Sequence, residues 1–171
     1  MKTPLLALLF SAPLLLSAQN SVVNTNIDMP GFLKLAHEAA QHRESRRVSE
    51  AEFIRMSREP DTLVLDARSH AMFELLHVKG AVNLSFPDIN VNSLARLIPD
   101  KGRRILIYCN NNFLNAPRAF ATKSPAASLN LSTYVALYTY GYTNVYELGP
   151  LLDVNATRIK LESTSRKAAS P

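Results

Sequence analysis

A chain of 171 residues that is 47% hydrophobic and 19% charged holds one ordinary domain with a sizeable core, which excludes the disordered and fibrous classes. The net charge of +5 is spread along the chain, densest at Arg43, Arg46, Arg47, Arg103 and Arg104. No basic stripe with interleaved aromatics marks a nucleic-acid surface. Cys109 is the single cysteine, so an internal disulfide, a CxxC redox pair and a cysteine zinc cage are all excluded, and any sulfur chemistry rests on one thiol.

Residues 1–18 run from a positive start (Met1-Lys2) through an apolar stretch (Leu5 to Leu16) to small residues (Ser17-Ala18). That order predicts a secretory signal peptide, with a mature chain from about Gln19. Pro4 and Pro13 interrupt the stretch, which is short for a bilayer, so no stable membrane span is expected after cleavage. With no cysteine after the cut to carry a lipid, the expected location is periplasmic or secreted.

Residues 19–47 form an N-terminal extension with one helix, starting near Pro30 and placing Phe32, Leu35, Ala36 and Ala39 on one face. Ser49 and Glu52 have the spacing of a capping box, and Phe53, Ile54 and Met56 give the next helix its apolar side. Thr62 to Asp66 reads as a buried parallel strand, Ser69 to His77 as a helix, and Ala81 to Leu84 as a short strand. One or two helical turns follow at Val91 to Ile98, then the strongest strand, Arg104 to Cys109. A helical face resumes briefly after Ala116, a helix spans Leu131 to Tyr140, and Asn144 to Leu148 is the last strand. Past Pro150 the pattern weakens, and 153–171 is expected to be a polar, frayed tail. Strands alternating with helices predict an α/β fold with a mostly parallel sheet of about five strands and helices on both faces.

Cys109 sits where a buried strand gives way to a loop, the place where open parallel sheets bind ligands. The loop Asn110-Asn111-Asn112-Phe113-Leu114-Asn115 is expected to curl its backbone N–H groups around the sulfur, with a helix start behind it. Such a nest favours the thiolate, the nucleophilic form of a cysteine. Taken alone, a small apolar residue at a strand end is the commoner reading of such a cysteine, and the surrounding motifs have to outweigh it.

Four ordered motifs carry a resemblance: Leu63-Val64-Leu65-Asp66-Ala67-Arg68, His77-Val78-Lys79-Gly80-Ala81-Val82-Asn83-Leu84, Ile105 to Cys109, and Gly141 to Gly149. Together, over residues 48–152, they resemble a rhodanese-like (sulfurtransferase) domain of an exported bacterial kind, with that family's three-layer fold. The resemblance implies that Cys109 takes sulfane sulfur from a small donor such as thiosulfate. It then holds the sulfur as a persulfide and passes it to a thiophilic acceptor. Asp66 and Arg68 flank the site mouth in the family pattern, either as supporting residues or as a structural ion pair.

The loop departs from the family's C-x-x-G-x-[RT] at Asn112 and Leu114. The related phosphatases need C-x5-R so that the arginine can fork onto phosphate, and Arg118 is out of register for that place. Two function classes remain: an exported sulfurtransferase, and a non-catalytic rhodanese-fold module that binds or senses redox state in the cell envelope. Neither requires a cofactor or metal; His37 and His42 are five apart, off a common helical face. His77 reads as a structural residue bonded to backbone and His70 as a solvated one. Phe113 and Leu114, two apolar residues in the loop, are candidates to dock a protein partner or cover the sulfur.

Overall fold

A computed structural model describes residues 24–164; the expected signal peptide and the last residues of the tail lie outside them. In chain order the elements are α1 (Met29–Arg43), β1 (Arg47–Val48), α2 (Glu50–Ser57), β2 (Thr62–Asp66), α3 (His70–Leu75), β3 (His77–Val78) and β4 (Val82–Asn83). They continue with α4 (Val91–Leu97), β5 (Arg104–Tyr108), β6 (Phe113–Leu114), α5 (Leu129–Thr139), β7 (Val145–Leu148), β8 (Leu152–Asp153) and β9 (Leu161–Glu162).

Five strands form one parallel sheet in the order β1-β7-β5-β2-β4, with the long strands β2 and β5 side by side. The side-chain period of two sorts the strand residues into two cores. Leu63, Leu65, Ile105, Ile107 and Val145 meet Ala39 of α1, Leu94 of α4 and Leu137 of α5 on one face. Val64, Leu106, Tyr108 and Leu148 meet Phe53 and Met56 of α2 on the other. Leu65, Ile105 and Leu106 are wholly buried, each contributing roughly 1.5–3 kcal/mol of apolar transfer. The expected three-layer α/β architecture is therefore present.

Local signals set the ends of these elements. Ser49 Oγ accepts the Glu52 N–H at 3.2 Å, but the Glu52 carboxylate turns to Arg55 instead of back to the cap. The reciprocal pair forms at α4, between Asn90 and Ser93. Gly141 ends α5 at φ +84, with its N–H on Tyr138 O and the Tyr142 N–H on Leu137 O. That left-handed turn aims the chain into β7. Arg43 of α1 grips Glu147 of β7 through two bonds of 2.5 Å, fixing the N-terminal helix to the sheet.

Three expectations differ. The helix after Ala116 is a series of turns, because Pro117 and Pro125 deny the backbone continuity. Phe32 is 55% exposed, leaving Ala39 as the buried residue of α1. The segment after Pro150 also carries structure: β8 pairs with β6, β9 runs antiparallel to β3, and Ile159 is buried.

Candidate functional site

From β2 the chain steps to β4 on one side, then crosses back to β5 on the other. The carboxyl ends of β2 and β5 thus flank the switch in strand order, where an open α/β sheet leaves a crevice. Cys109 is the first residue beyond β5 and Ala67 the first beyond β2.

Cys109 has an extended backbone (φ −147, ψ −171) and is 1% exposed. Its Sγ receives the Asn111 N–H at 3.4 Å and lies 3.4 Å from Ser128 Oγ. Ser128 immediately precedes α5, yet its hydroxyl caps none of that helix's N–H groups. It turns to the sulfur instead, at the electropositive end of an eleven-residue helix.

The expected nest is largely absent. Asn110 to Asn112 close a tight 3-10 turn in which Asn112 N–H bonds Cys109 O at 3.2 Å and Phe113 N–H bonds Asn110 O. The Asn112 N–H is shared between the Cys109 carbonyl and the capping of the Cys109 side chain, and the Asn111 N–H reaches the sulfur at 3.4 Å. The turn is set by the Asn112 side chain. Its Oδ1 accepts the Cys109 N–H at 2.9 Å and Asn130 Nδ2 at 3.1 Å, while its Nδ2 donates to Leu148 O at 2.8 Å and Pro150 O at 3.2 Å. One buried amide therefore ties the cysteine, the end of β7 and α5 together.

The other loop residues part ways. Asn111 exchanges two side-chain bonds with the backbone of Lys123, at 2.9 and 3.0 Å. Asn110 is 6% exposed, and its Oδ1 is buried without a hydrogen-bond partner. Phe113 is buried against Tyr108 and Phe120, with its ring 4.6 Å from that of Phe120, so Leu114 alone of the apolar pair faces solvent. Asn115, at φ 65, donates to Asp153 Oδ2 at 2.9 Å, beside the β6–β8 pairing.

Asp66 and Arg68 are buried and paired with each other. Arg68 Nη2 lies 2.6 Å from Asp66 Oδ2, and its remaining N–H groups reach Ala119 O (2.7 Å) and Leu76 O (2.8 Å). Tyr108 donates to the same carboxylate and accepts the Val78 N–H; burial first, then the Asp66 charge, holds its hydroxyl well above the usual tyrosine range. The guanidinium stacks 4.1 Å over Phe120. The hydrogen bonds of both residues go elsewhere than to the sulfur. His77 Nδ1–H donates to Phe73 O at 2.7 Å, with its ring stacked on Phe73 at 3.7 Å.

Ser128, Asn130 and Lys123 escape the sequence reading. Ser128 precedes an apolar run and carries an N-cap signal, but its turn toward Cys109 is a tertiary event. A cleft of about 480 Å³ opens between Ala67-Arg68-Ser69 and Asn110, the residue after Cys109. Among the described residues no group of three or more His, Cys, Asp or Glu side chains is placed to hold a metal ion, and no helix is long and apolar enough to cross a membrane.

Comparison with solved structures finds the BH2092 protein of Bacillus halodurans at 21% identity and TM-score 0.49, covering 77% of this chain and 87% of that one. A rhodanese from E. coli, with anions, is matched at 21% identity and TM-score 0.38, over 60% of this chain and 98% of that one. A thiosulfate sulfurtransferase from Pseudomonas aeruginosa is matched at 16% identity and TM-score 0.48, over 76% of this chain and 23% of its own. A search of curated proteins found no match. The model of the rhodanese-like domain matches residues 49–148, from the cap of α2 to the end of β7, and the chain belongs to that family.

Proposed function

We propose that the chain is a sulfurtransferase that carries sulfane sulfur on Cys109, and that it works outside the cytoplasm after removal of residues 1–18. The observation that supports this most directly is the sulfur's position. It lies at the carboxyl end of β5, at the switch in strand order, between the Asn111 N–H and the Ser128 hydroxyl. Two donors and a helix start stabilise negative charge on sulfur, whether in the thiolate or in the persulfide.

The thiolate attacks the outer sulfur of thiosulfate, a new S–S bond forms, and the old one breaks to release sulfite. An acceptor then takes the outer sulfur: cyanide leaves as thiocyanate, a thiolate as its own persulfide, and the Cys109 thiolate returns. With no arginine in the loop, thiosulfate is held weakly and turnover is slow.

One observation favours a second reading. The loop N–H groups spent within the 3-10 turn, and a thiol only 1% exposed, suit a binding or redox-sensing module with a spectator cysteine. Intact-mass analysis after thiosulfate, alongside a cyanide-coupled thiocyanate assay and Cys109→Ser, separates the two. A one-sulfur mass gain confined to the native protein, with thiocyanate released, is the expected result. Native protein left bare by thiosulfate and by reactive small persulfides refutes the enzyme reading.

A further inference from the structure

On the α2 side of the sheet, the segment after Pro150 builds a notch that the proposed sulfur chemistry does not use. Ile159 is buried, while Arg158 and Lys160 on either side of it are exposed. Glu50 fixes this segment from one side, accepting the Thr157 hydroxyl and the Arg158 N–H at 2.6 Å each. From the other side the Lys79 N–H donates to Lys160 O at 2.8 Å. Between these clamps Phe53, Ile54, Val78 and Ile159 form the apolar lining of a notch of about 170 Å³.

The charged residues of its rim all carry one sign. Arg58 after α2, Lys79 after β3, and Arg158 and Lys160 before β9 line the notch, with no carboxylate among the lining residues. All four are exposed. Arg158 reaches Glu50 Oε2 at 3.7 Å, and among the described residues Arg58, Lys79 and Lys160 have no ion pair. Such a rim attracts an anionic partner and repels a cationic one. The volume is below the roughly 300 Å³ at which sites for drug-sized molecules begin, which leaves room for a single side chain. None of the large apolar side chains exposed among the described residues lines the notch, so a bilayer would meet charge here with nothing to insert. Phe53 is 1% exposed and offers no face on which a base could stack.

We propose that this notch docks an acidic peptide segment of another protein, in which one aliphatic side chain stands between carboxylates. The aliphatic side chain enters the hollow onto Ile54 and Ile159, and the carboxylates on either side of it meet Arg58, Lys79 and Lys160. Neither Cys109 nor any residue of the loop 110–115 lines the notch, so the docking holds whether or not the cysteine carries sulfur. Because the cations are exposed, binding is weak and falls as salt rises.

The test titrates native protein at low salt with a capped peptide of one leucine between two pairs of glutamates, followed by amide and methyl NMR. Saturable shifts at Val78 and Ile159 are expected. Exchanging the leucine for glycine should weaken binding about tenfold, the worth of one apolar side chain partly removed from water. Lys79→Glu with Lys160→Glu should weaken it about tenfold or more, since two partly solvated ion pairs give way to repulsions. Arg96→Glu with Arg118→Glu makes the same change in net charge on exposed cations outside the notch, and should weaken it by less than about threefold. Circular dichroism checks that each variant keeps the native fold, and Lys79→Gln with Lys160→Gln, which removes charge without reversing it, should give an intermediate loss. Equal losses in the two charge-reversed proteins, equal binding of the leucine and glycine peptides, or no shift at Val78 and Ile159 overturns the proposal. Phosphatidylglycerol vesicles bound through Lys79 and Lys160, with the peptide leaving the spectrum unchanged, also overturn it and assign the surface to a membrane.

Discussion

Asn112 gives the sharpest stability test of the site. In Asn112→Ala four hydrogen bonds go at once: from Cys109 N–H, from Asn130 Nδ2, and to Leu148 O and Pro150 O. Pro150 is half-buried and rehydrates, whereas Cys109, Leu148 and Asn130 are buried. Three orphaned groups at about 1–3 kcal/mol each, partly relieved by water entering the void, give a loss of about 3–5 kcal/mol. For a chain of this size that is roughly a 10 °C fall in Tm. Urea unfolding followed by circular dichroism measures it, with the slope of the transition unchanged. Asn112→Asp keeps the acceptor for Cys109 N–H but sets a second oxygen against two carbonyls. Its loss should be smaller than that of alanine at low pH, where the protonated carboxyl keeps the Cys109 bond and donates to one carbonyl, and grow as the new carboxylate ionises. A loss under about 1 kcal/mol for Asn112→Ala would refute the claim that this amide holds the site together.

Two further outcomes follow from the buried and half-buried charges. Arg68→Leu leaves Asp66 uncompensated and strips donors from two carbonyls, so it should cost about 3–5 kcal/mol by thermal or urea unfolding. Adding Asp66→Asn should recover part of it; an Arg68→Leu protein as stable as the native one would place the pair outside the load path of the fold. The Glu50 carboxyl is held below its usual range, chiefly by the Thr157 hydroxyl and also by the Arg158 N–H. A depressed folded value means that this stabilisation is present above the unfolded value and disappears as pH falls through the folded one. The Tm gap between native protein and Glu50→Gln should therefore close from about pH 5 to pH 3; a gap that persists in acid would contradict the assignment.

The long strands were readable because Thr62–Asp66 and Arg104–Tyr108 are apolar runs with turn residues on both sides, and a buried parallel strand needs no more. The position of Cys109 followed from the end of such a run. What meets the thiol did not follow. Ser128 arrives from 19 residues further on, across two proline-broken turns, and Asn112 is fixed by β7 and α5 rather than by its neighbours. Three consecutive asparagines fit a nest and a 3-10 turn equally well on local grounds; contacts with Leu148 and Lys123 decide between them. The pairing of β9 with β3 was hidden for a related reason, since two-residue strands are too short for a period of two to register.

The outermost strands of the main sheet, β1 and β4, are each two residues long. A border that short presents too few free N–H and C=O groups to template another chain, and the guanidinium of Arg47 marks one of the two margins. Of the long apolar strands, the segments with greatest tendency to stack between molecules, β5 lies between β2 and β7, and β4 covers the outer side of β2 at Leu65 and Asp66. Resistance to strand-mediated aggregation therefore belongs to the order of the sheet. It should outlast changes at the thiol and fail when β1 or β4 is lengthened with β-branched residues.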